Sequence, residues 1–226
     1  MFVKMCGMMR REDLAMCGEL GIDAAGIVVE YPSPVPWNVD RVAGRRLVAE
    51  APEGLQVVMV TSGAPRDIAE LASYVQPHMV QVHGEESLTD VAEIVERLRP
   101  LGIGVFRALR IVPETKQAAG EITDPRDAAR ALAATGVKGI VVDSKVPRRP
   151  GGTGVAVDVE TIADIVRAVD VPIVAAGGLN AGNVGEVIRR AQPWGVDVLT
   201  GVEAAPGEKD VRRMQEFVAA VRAAAG

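Results

Sequence analysis

The chain contains little cysteine and little histidine. Two cysteines, Cys6 and Cys17, and two histidines stand among 226 residues. This is too few for a disulfide framework, and no Cys/His cluster with metal-ligand spacing accompanies them. A chain of this length can bury a large core, so folding requires neither a disulfide nor a metal. We therefore expect a reducing compartment, the cytoplasm, and no metal or cofactor.

The chain also lacks an excess of basic residues and a long apolar run. Its formal net charge is −5, which argues against nucleic acid as a partner because phosphate backbones are bound by basic surfaces. Backbone amides can still bind a small phosphorylated ligand. No apolar stretch reaches the roughly 18 to 20 residues that span a bilayer, and residues 2–5 read as a strand and not as a signal peptide. We expect no membrane partner.

Short apolar runs alternate with amphipathic stretches along the whole chain. The runs are rich in Val and Ile and nearly continuous in hydrophobicity, as parallel strands covered on both faces are. They occupy residues 2–6, 25–29, 55–60, 79–82, 104–109, 139–143, 172–175 and 196–199. The predicted helices occupy residues 11–20, 66–74, 86–98, 125–135, 159–169, 181–191 and 209–224, with a less regular one after Asn38. This alternation predicts a single (βα)8 TIM-barrel domain over residues 1–226.

Capping residues precede two of the predicted helices. Asp124 stands before Pro125, and proline is favoured at the first helical position. Asn180 stands before Ala181 in the same manner. These pairs predict helix starts at residues 125 and 181.

Glycine-rich turns follow the last three predicted strands, at residues 151–154, 177–180 and 200–203. Glycine lets the backbone turn sharply and present N–H groups to anionic oxygens. Each turn alone is equally well explained as a tight connection. Together they favour phosphate, which barrels often hold between the loops after strands seven and eight and a short extra helix. The predicted phosphate-binding residues are Gly152, Thr153, Gly154, Gly177, Gly178, Thr200 and Gly201.

Two reactive side chains lie at predicted strand ends, where barrel enzymes carry their chemistry. Cys6 ends the first strand, although taken alone it is better explained as a small buried hydrophobic residue. Asp143 ends the sixth strand after four apolar residues, and a helix cap or a salt bridge is the alternative to a catalytic role. Cys17 lies inside the first predicted helix, a position typical of a structural cysteine.

Ordered motifs give the chain a resemblance to the phosphoribosylanthranilate isomerases of tryptophan biosynthesis. Each motif is short, but their order and spacing from residue 4 to residue 210 are specific. The motifs are Lys4-Met5-Cys6-Gly7, Val80-Gln81-Val82-His83-Gly84, Asp143 with Gly151-Gly152-Thr153-Gly154, Ala176-Gly177-Gly178-Leu179, Gly195-Val196-Asp197-Val198 with Gly201-Val202-Glu203, and Pro206-Gly207-Glu208-Lys209-Asp210.

The resemblance implies an aldose-to-ketose rearrangement of N-(5′-phosphoribosyl)anthranilate without a cofactor. In this scheme Asp143 is the general acid that opens the furanose ring, and Cys6 as a thiolate removes the proton from C2′. The resemblance also places His83 and Asp197 in contact with the substrate. Lys4 is two residues from Cys6, hence on the same side of the strand, and either supports the thiolate and substrate or forms an interior salt bridge. Gln81 is expected to face a neighbouring layer of side chains.

One departure from the family pattern concerns the anthranilate carboxylate. Family members usually carry an arginine in the loop after strand two, where this chain has Val35. Another donor is then needed, and Arg41, Arg107 and Arg110 are the candidates. Trp37 in the same loop either stacks on an aromatic ring or packs the loop. A smaller departure is Leu199-Thr200, where the family commonly has a serine pair.

Other functions compete with this interpretation. An indole-glycerol-phosphate synthase needs a lysine–glutamate pair at the barrel mouth, and a ribulose-phosphate epimerase needs metal-binding histidines. A related histidine-pathway isomerase resembles a two-aspartate enzyme, which Cys6 disfavours. A catalytically silent barrel that binds a phosphorylated ligand is the alternative from another class. The sequence leaves the oligomeric state open between monomer and homodimer.

Overall fold

The computed structural model describes residues 1–145 and 156–226. Within them, eight parallel strands form a closed barrel in which each strand pairs with its neighbours in chain order and the last strand returns to the first. The barrel strands are β1 Phe2–Met5, β2 Ala24–Val29, β3 Gln56–Thr61, β4 Met79–Val82, β5 Gly104–Ile111, β6 Gly139–Ser144, β7 Ile173–Ala175 and β8 Gly195–Val198. The predicted (βα)8 barrel is confirmed.

Helices cover the outside of the barrel and follow the strands in turn. They are α1 Arg11–Glu19, α2 Arg41–Ala49, α3 Pro65–Val75, α4 Leu88–Leu98, α5 Pro125–Ala133, α6 Val159–Ala168, α7 Val184–Ala191 and α8 Val211–Ala225. A two-residue strand, Asn38–Val39, extends the sheet beside β2, and Glu203–Ala205 pairs with Glu208–Lys209 in a small antiparallel hairpin before α8. Among the described residues, no helix combines the length and the apolar character needed to cross a membrane.

The apolar runs form strands because both of their faces are covered. All six residues of β2 are buried, and so are the central residues of the other strands. One face packs against the helices in a large core, while the other fills the barrel interior. The interior also holds charge: Lys4 of β1 and Asp197 of β8 stand directly opposite each other in the sheet. Side chains at opposed positions share a face, so these two point the same way.

The two predicted helix starts have different outcomes. Asp124 accepts hydrogen bonds from the N–H groups of Arg126 and Asp127 and caps α5, with Pro125 in the first position, as predicted. The prediction that a helix begins after Asn180 is wrong, because α7 begins at Val184. The Oδ1 of Asn180 accepts from the N–H of Gly182, 2.8 Å away, and this local turn competes with the helix.

Candidate active site

A cavity opens at the carboxyl ends of the strands. It holds about 700 Å³ of space, its solvent-open part included, which suits a small-molecule ligand. The described lining residues are Cys6, Val28, Tyr31, Val35, Trp37, Val60, Gln81, His83, Asp143, Ala176, Gly177, Gly178, Leu179, Asp197, Leu199 and Thr200. Of the other predicted site residues, Lys4 and Gly201 do not line it, and Gly152, Thr153 and Gly154 lie outside the described residues.

Cys6 is the first residue after β1, and its buried thiol lines the cavity. Its N–H donates to the carbonyl of Val198 at 2.8 Å, which continues the sheet ladder and fixes the backbone. Gly26 on β2 makes room for the thiol, because a Cβ atom there would stand 2.6 Å from Sγ. Burial raises the pKa of the thiol above its ordinary value, although the ammonium of Lys4 opposes the shift. In the unliganded protein Cys6 is therefore a thiol at neutral pH.

Lys4 lies under the cavity floor and is completely buried. Its Nζ is 2.6 Å from Oδ2 of Asp197, and it also interacts with the Cys6 thiol. Burial lowers the pKa of Lys4, but Asp197 and the Cys6 thiol together outweigh it and the net shift is upward. The other oxygen of Asp197, Oδ1, is buried and has no hydrogen-bond partner among the described residues. A direct contact between Lys4 and a ligand stays a prediction.

The Lys4–Asp197 pair yields a stability prediction. The Lys4→Met substitution leaves a buried carboxylate without its counter-charge, and we expect it to lower the free energy of unfolding by about 3–5 kcal/mol. The Lys4→Met/Asp197→Leu double variant is expected to recover most of that loss. Urea unfolding of both variants measures the difference. A single variant as stable as the unsubstituted protein, or a double variant no more stable than the single one, would contradict this account.

Asp143 lies within β6, which runs one residue further than the sequence predicts, to Ser144. Its Oδ1 accepts a hydrogen bond from the N–H of Ser144 at 2.7 Å, and its Oδ2 lies 3.4 Å from Nε2 of His83. Burial raises the pKa of Asp143 to about 6, and the N–H of Ser144 offsets only part of that effect. A carboxyl group with this pKa is about one-tenth protonated at pH 7 and can donate a proton.

His83 and Gln81 form a polar edge of the cavity next to Asp143. Gln81 Nε2 and His83 Nδ1 are 3.2 Å apart, and the N–H of His83 donates to the carbonyl of Thr61. Gln81, which the sequence places toward a neighbouring layer of side chains, also lines the cavity. Its Oε1 is buried without a hydrogen-bond partner among the described residues, so it offers an acceptor to a ligand.

The loops after β7 and β8 form one end of the cavity. Gly177 and Gly178 both have positive φ, +75° and +63°, a conformation that glycine adopts without strain. One turn of 3-10 helix, Thr200–Val202, follows β8. Gly201 allows the two loops to touch, because a Cβ atom there would lie 2.0 Å from the carbonyl oxygen of Leu179.

Backbone N–H groups at this end of the cavity are available to a ligand. Those of Gly177, Gly178, Thr200 and Gly201 donate no hydrogen bond to any other residue in the described part of the chain. Three of these residues line the cavity. Unpaired N–H groups that converge on a cavity form a typical binding site for anionic oxygens.

The opposite side of the cavity, beside β2 and β3, is apolar. Trp37 lies there, and a buried network that the sequence did not predict holds its indole. Its Nε1 donates to Oε1 of Glu203 at 2.7 Å, and the same oxygen accepts from Nζ of Lys209 at 2.8 Å. Lys209 also donates to the carbonyl of Leu199. Because Trp37 and Glu203 are 166 residues apart, no local pattern could have paired them.

None of the three candidate arginines for the carboxylate lines the cavity. Arg41 forms two 2.7 Å hydrogen bonds with Glu30 on the outer surface. Arg107 and Arg110 both donate to the carbonyl of Gly84, at 3.1 and 3.3 Å. Arg110 nevertheless acts electrostatically on Asp143 and Tyr31, so which of the three replaces the loop arginine stays a prediction.

The described residues contain no group of three or more His, Cys, Asp or Glu side chains that could hold a metal ion. What the cavity does contain is a carboxyl group with a raised pKa, a buried thiol, and free N–H groups at one end. These groups lie at the carboxyl ends of the strands of a closed (βα)8 barrel, and together they define an enzyme suited to acid–base chemistry on a small anionic ligand.

Comparison with known proteins identifies the family to which this barrel enzyme belongs. The family described as N-(5'phosphoribosyl)anthranilate (PRA) isomerase matches residues 3–220. The N-(5'-phosphoribosyl)anthranilate isomerase of Haloferax volcanii is 38% identical over 99% of this chain and 94% of its own length. The crystal structure of phosphoribosyl anthranilate isomerase from Thermotoga maritima is 33% identical, with a TM-score of 0.80 and 98% of each chain covered. The chain belongs to the N-(5'-phosphoribosyl)anthranilate isomerase family.

A further solved structure bears on the ligand. It is described as phosphoribosyl anthranilate isomerase in complex with reduced 1-(o-carboxyphenylamino)-1-deoxyribulose 5-phosphate, and it is 31% identical, with a TM-score of 0.77 and 98% of each chain covered. That protein therefore binds a phosphorylated analogue that carries a carboxyphenyl group on nitrogen.

Proposed function

We propose that the chain isomerises N-(5′-phosphoribosyl)anthranilate to 1-(2-carboxyphenylamino)-1-deoxyribulose 5-phosphate by general acid–base catalysis. Family membership and the isomerase names of its relatives support the reaction. The observation that carries the proposal is the shared cavity of Cys6 and Asp143, with unpaired glycine N–H groups beside them. The reaction moves protons within one molecule, so it consumes no redox cofactor.

Asp143 is the general acid of the first step. Its proton passes to the ring oxygen of the ribose, the bond between C1′ and that oxygen breaks, and the nitrogen lone pair forms the C=N bond of an iminium. The product of this step is an open chain with a free 4′-hydroxyl. The raised pKa of about 6 supports the role, because it keeps a protonated fraction at neutral pH.

Cys6 is the general base of the second step. Its thiolate takes the proton from C2′, and the released electron pair forms a C1′=C2′ bond while the iminium nitrogen becomes neutral. The enolamine then gains a proton at C1′ and loses the 2′-hydroxyl proton, which gives the ketone. These two transfers restore the thiolate and the acid if Cys6 returns its proton to C1′ and Asp143 recovers its proton from the hydroxyl.

The remaining site residues bind the substrate in this proposal. Asp197 offers its unpartnered Oδ1 to a sugar hydroxyl, and His83 lies within reach of the same group or of Asp143. Lys4 supplies positive charge below the thiol. The phosphate is assigned to the N–H groups after β7 and β8, together with Gly152, Thr153 and Gly154, which lie outside the described residues.

We also infer a cytoplasmic protein whose partner is a small phosphorylated molecule and not nucleic acid. Both cysteines are unpaired and buried, which fits a reducing compartment. The net charge of −5 offers little attraction to a nucleic-acid backbone. The oligomeric state, monomer or homodimer, stays open.

The decisive experiment mixes the protein with freshly generated phosphoribosylanthranilate and follows the fluorescence decay. We expect rapid loss of the substrate signal and recovery of the carboxyphenylamino-deoxyribulose phosphate by chromatography. Binding of the reduced product analogue without turnover would instead identify a catalytically silent barrel. Neither binding nor turnover would overturn the proposal and leave a phosphate-binding barrel of another substrate.

A further inference from the structure

The subsite for the nitrogen substituent can be located by elimination, if the proposed function holds. The phosphate is assigned to the loops after β7 and β8, and the reacting carbons to the space between Cys6 and Asp143. The barrel places β2 and β3 across from β7. The cavity wall left for the substituent is therefore the one formed by Val28, Val60 and Trp37.

This wall is apolar in its described part except for the hydroxyl of Tyr31, which donates to the carbonyl of His83. Val28, Trp37 and Val60 pack together in one buried cluster, and Tyr31 and Val35 pack against it. All five side chains line the cavity. The Trp37 indole cannot turn its polar atom toward a ligand without breaking its 2.7 Å hydrogen bond to Glu203. The wall thus offers aromatic and aliphatic surface to whatever occupies this side.

No lysine or arginine among the described residues lines the wall, and Arg107 and Arg110 act electrostatically on the Tyr31 hydroxyl without a hydrogen bond to it. Among the described lining residues there is no lysine and no arginine, and the two carboxylate side chains, Asp143 and Asp197, are acidic. The ammonium of Lys209, which shares the Oε1 acceptor of Glu203 with Trp37, is held by that carboxylate and by the carbonyl of Leu199. A carboxylate placed against this surface would lose water and gain no ionic partner.

We propose that this subsite recognises the aryl group of the substrate and does not select for its carboxylate. The proposal rests on the isomerase function above and names the substrate class: ribosylamine 5-phosphates whose nitrogen carries an aromatic ring, with or without an ortho carboxylate. The ring stacks on or packs against Trp37, and a carboxylate, when present, points toward solvent. Val35 is the specificity-determining position, because a cation there would meet the carboxylate.

The first test measures binding, which is independent of the chemical reactivity of the amine. Titration calorimetry compares reduced 1-(o-carboxyphenylamino)-1-deoxyribulose 5-phosphate with the matching reduced phenylamino compound. We expect dissociation constants within about threefold of each other, whereas a charge-assisted contact to the carboxylate would separate them by about tenfold or more. A preference of tenfold or more for the carboxylate compound would overturn the proposal.

The second test measures turnover of N-(5-phosphoribosyl)aniline beside phosphoribosylanthranilate, with product quantified by chromatography against an enzyme-free blank. We expect both to be isomerised, with kcat/KM values within about tenfold. Turnover of the anthranilate compound alone would overturn the inference but leave the proposed function standing. Turnover of neither compound would refute both.

A matched pair of variants locates the subsite. Val35→Arg is expected to shift the ratio of the two dissociation constants by about tenfold in favour of the carboxylate compound, and Val35→Leu is expected to leave the ratio unchanged. Trp37→Ala should weaken both compounds alike and raise KM more than it lowers kcat. An unchanged ratio in Val35→Arg, or full affinity in Trp37→Ala, would overturn the placement of the ring.

Discussion

Asp143→Asn is expected to abolish catalysis and to stabilise the protein. The turnover rate should fall at least about a hundredfold, because the amide cannot donate the proton that opens the ring. Burial raises the pKa of Asp143 from 3.8 to about 6 in the folded chain. The folded state therefore holds the proton more tightly than the unfolded state, and stability is lost as the pH rises from about 4 to 6.

The size of this stability effect follows from the shift in pKa. About two pKa units correspond to about 3 kcal/mol, and the asparagine variant, which cannot ionise, avoids that loss. We expect its free energy of unfolding to exceed that of the unsubstituted protein by about 3 kcal/mol at pH 8 and to equal it at pH 4. Denaturant unfolding at both pH values measures the difference.

A matched control is available on the surface. Asp164→Asn changes an exposed carboxylate that is paired with Arg167 three residues along α6, and it should alter stability by less than about 0.5 kcal/mol at either pH. If Asp143→Asn retained full activity, Asp143 would not be the acid. If it were no more stable at pH 8, the carboxyl group would not be held at a raised pKa by burial.

Cys6→Ala is the second substitution with a large expected effect. Removing the base should lower kcat by about 10²- to 10⁴-fold, while binding of the reduced product analogue should change little because the thiol makes no phosphate contact in the proposal. Cys6→Ser should recover little of the rate, since an alcohol is a far weaker acid than a thiol. Stopped-flow fluorescence measures the rates and calorimetry measures the binding.

Cys17→Ala provides the control for Cys6→Ala. Cys17 is buried within α1 and does not line the cavity, so its loss should cost some stability and leave kcat unaltered. A fully active Cys6→Ala protein would remove Cys6 from the mechanism. A comparable loss of kcat in Cys17→Ala would indicate a general disturbance of the barrel and would also contradict the assignment.

The proposed catalytic acid has a lower pKa than the proposed catalytic base, which is the reverse of the order that would keep both groups in their reactive forms. The acid, Asp143, has a pKa of about 6, and burial raises the pKa of the base, Cys6, above its ordinary value. The reactive form, with the acid protonated and the thiol ionised, is therefore a minor state of the unliganded protein at every pH. Iodoacetamide should accordingly alkylate Cys6 with an inflection above the pKa of free cysteine. An inflection below it would show that Lys4 outweighs burial.

Local patterns in the sequence were sufficient to predict the barrel strands. The sequence predicts Met79–Val82 to the residue, because the residues on either side of this short run define where the strand begins and ends. For the helix after Asn180 the sequence predicts a start three residues too early, since an asparagine that forms a turn with Gly182 looks like a helix cap in sequence. The sequence indicates the helix Arg41–Ala49 only weakly, because a glycine, Gly44, lies in its middle.

The sequence predicts those site residues that stand at a strand end or in a family motif. It does not predict those whose role depends on contacts between residues far apart in the chain. The presence of Cys6 and Asp143 in one cavity follows from their positions at the carboxyl ends of the first and sixth apolar runs, because the carboxyl ends of all barrel strands meet at one mouth. The support of Trp37 by Glu203 could not be foreseen, because it depends on the hairpin that joins β8 to α8. The role of Gly26 could not be foreseen either, because it depends on the contact of Gly26 with the Cys6 thiol on the neighbouring strand.

The buried pair of Lys4 and Asp197 constrains when the site can form during synthesis of the chain on the ribosome. Its members are 193 residues apart, so the pair forms only after nearly the whole chain has left the ribosome and the last strand has docked against the first. Contacts of such long range form late because the loop they close is long. The ion pair beneath Cys6 is therefore completed only when the barrel closes. A nascent or truncated chain without β8 has Cys6 and Lys4 but lacks Asp197, the carboxylate that pairs with Lys4 in the finished fold.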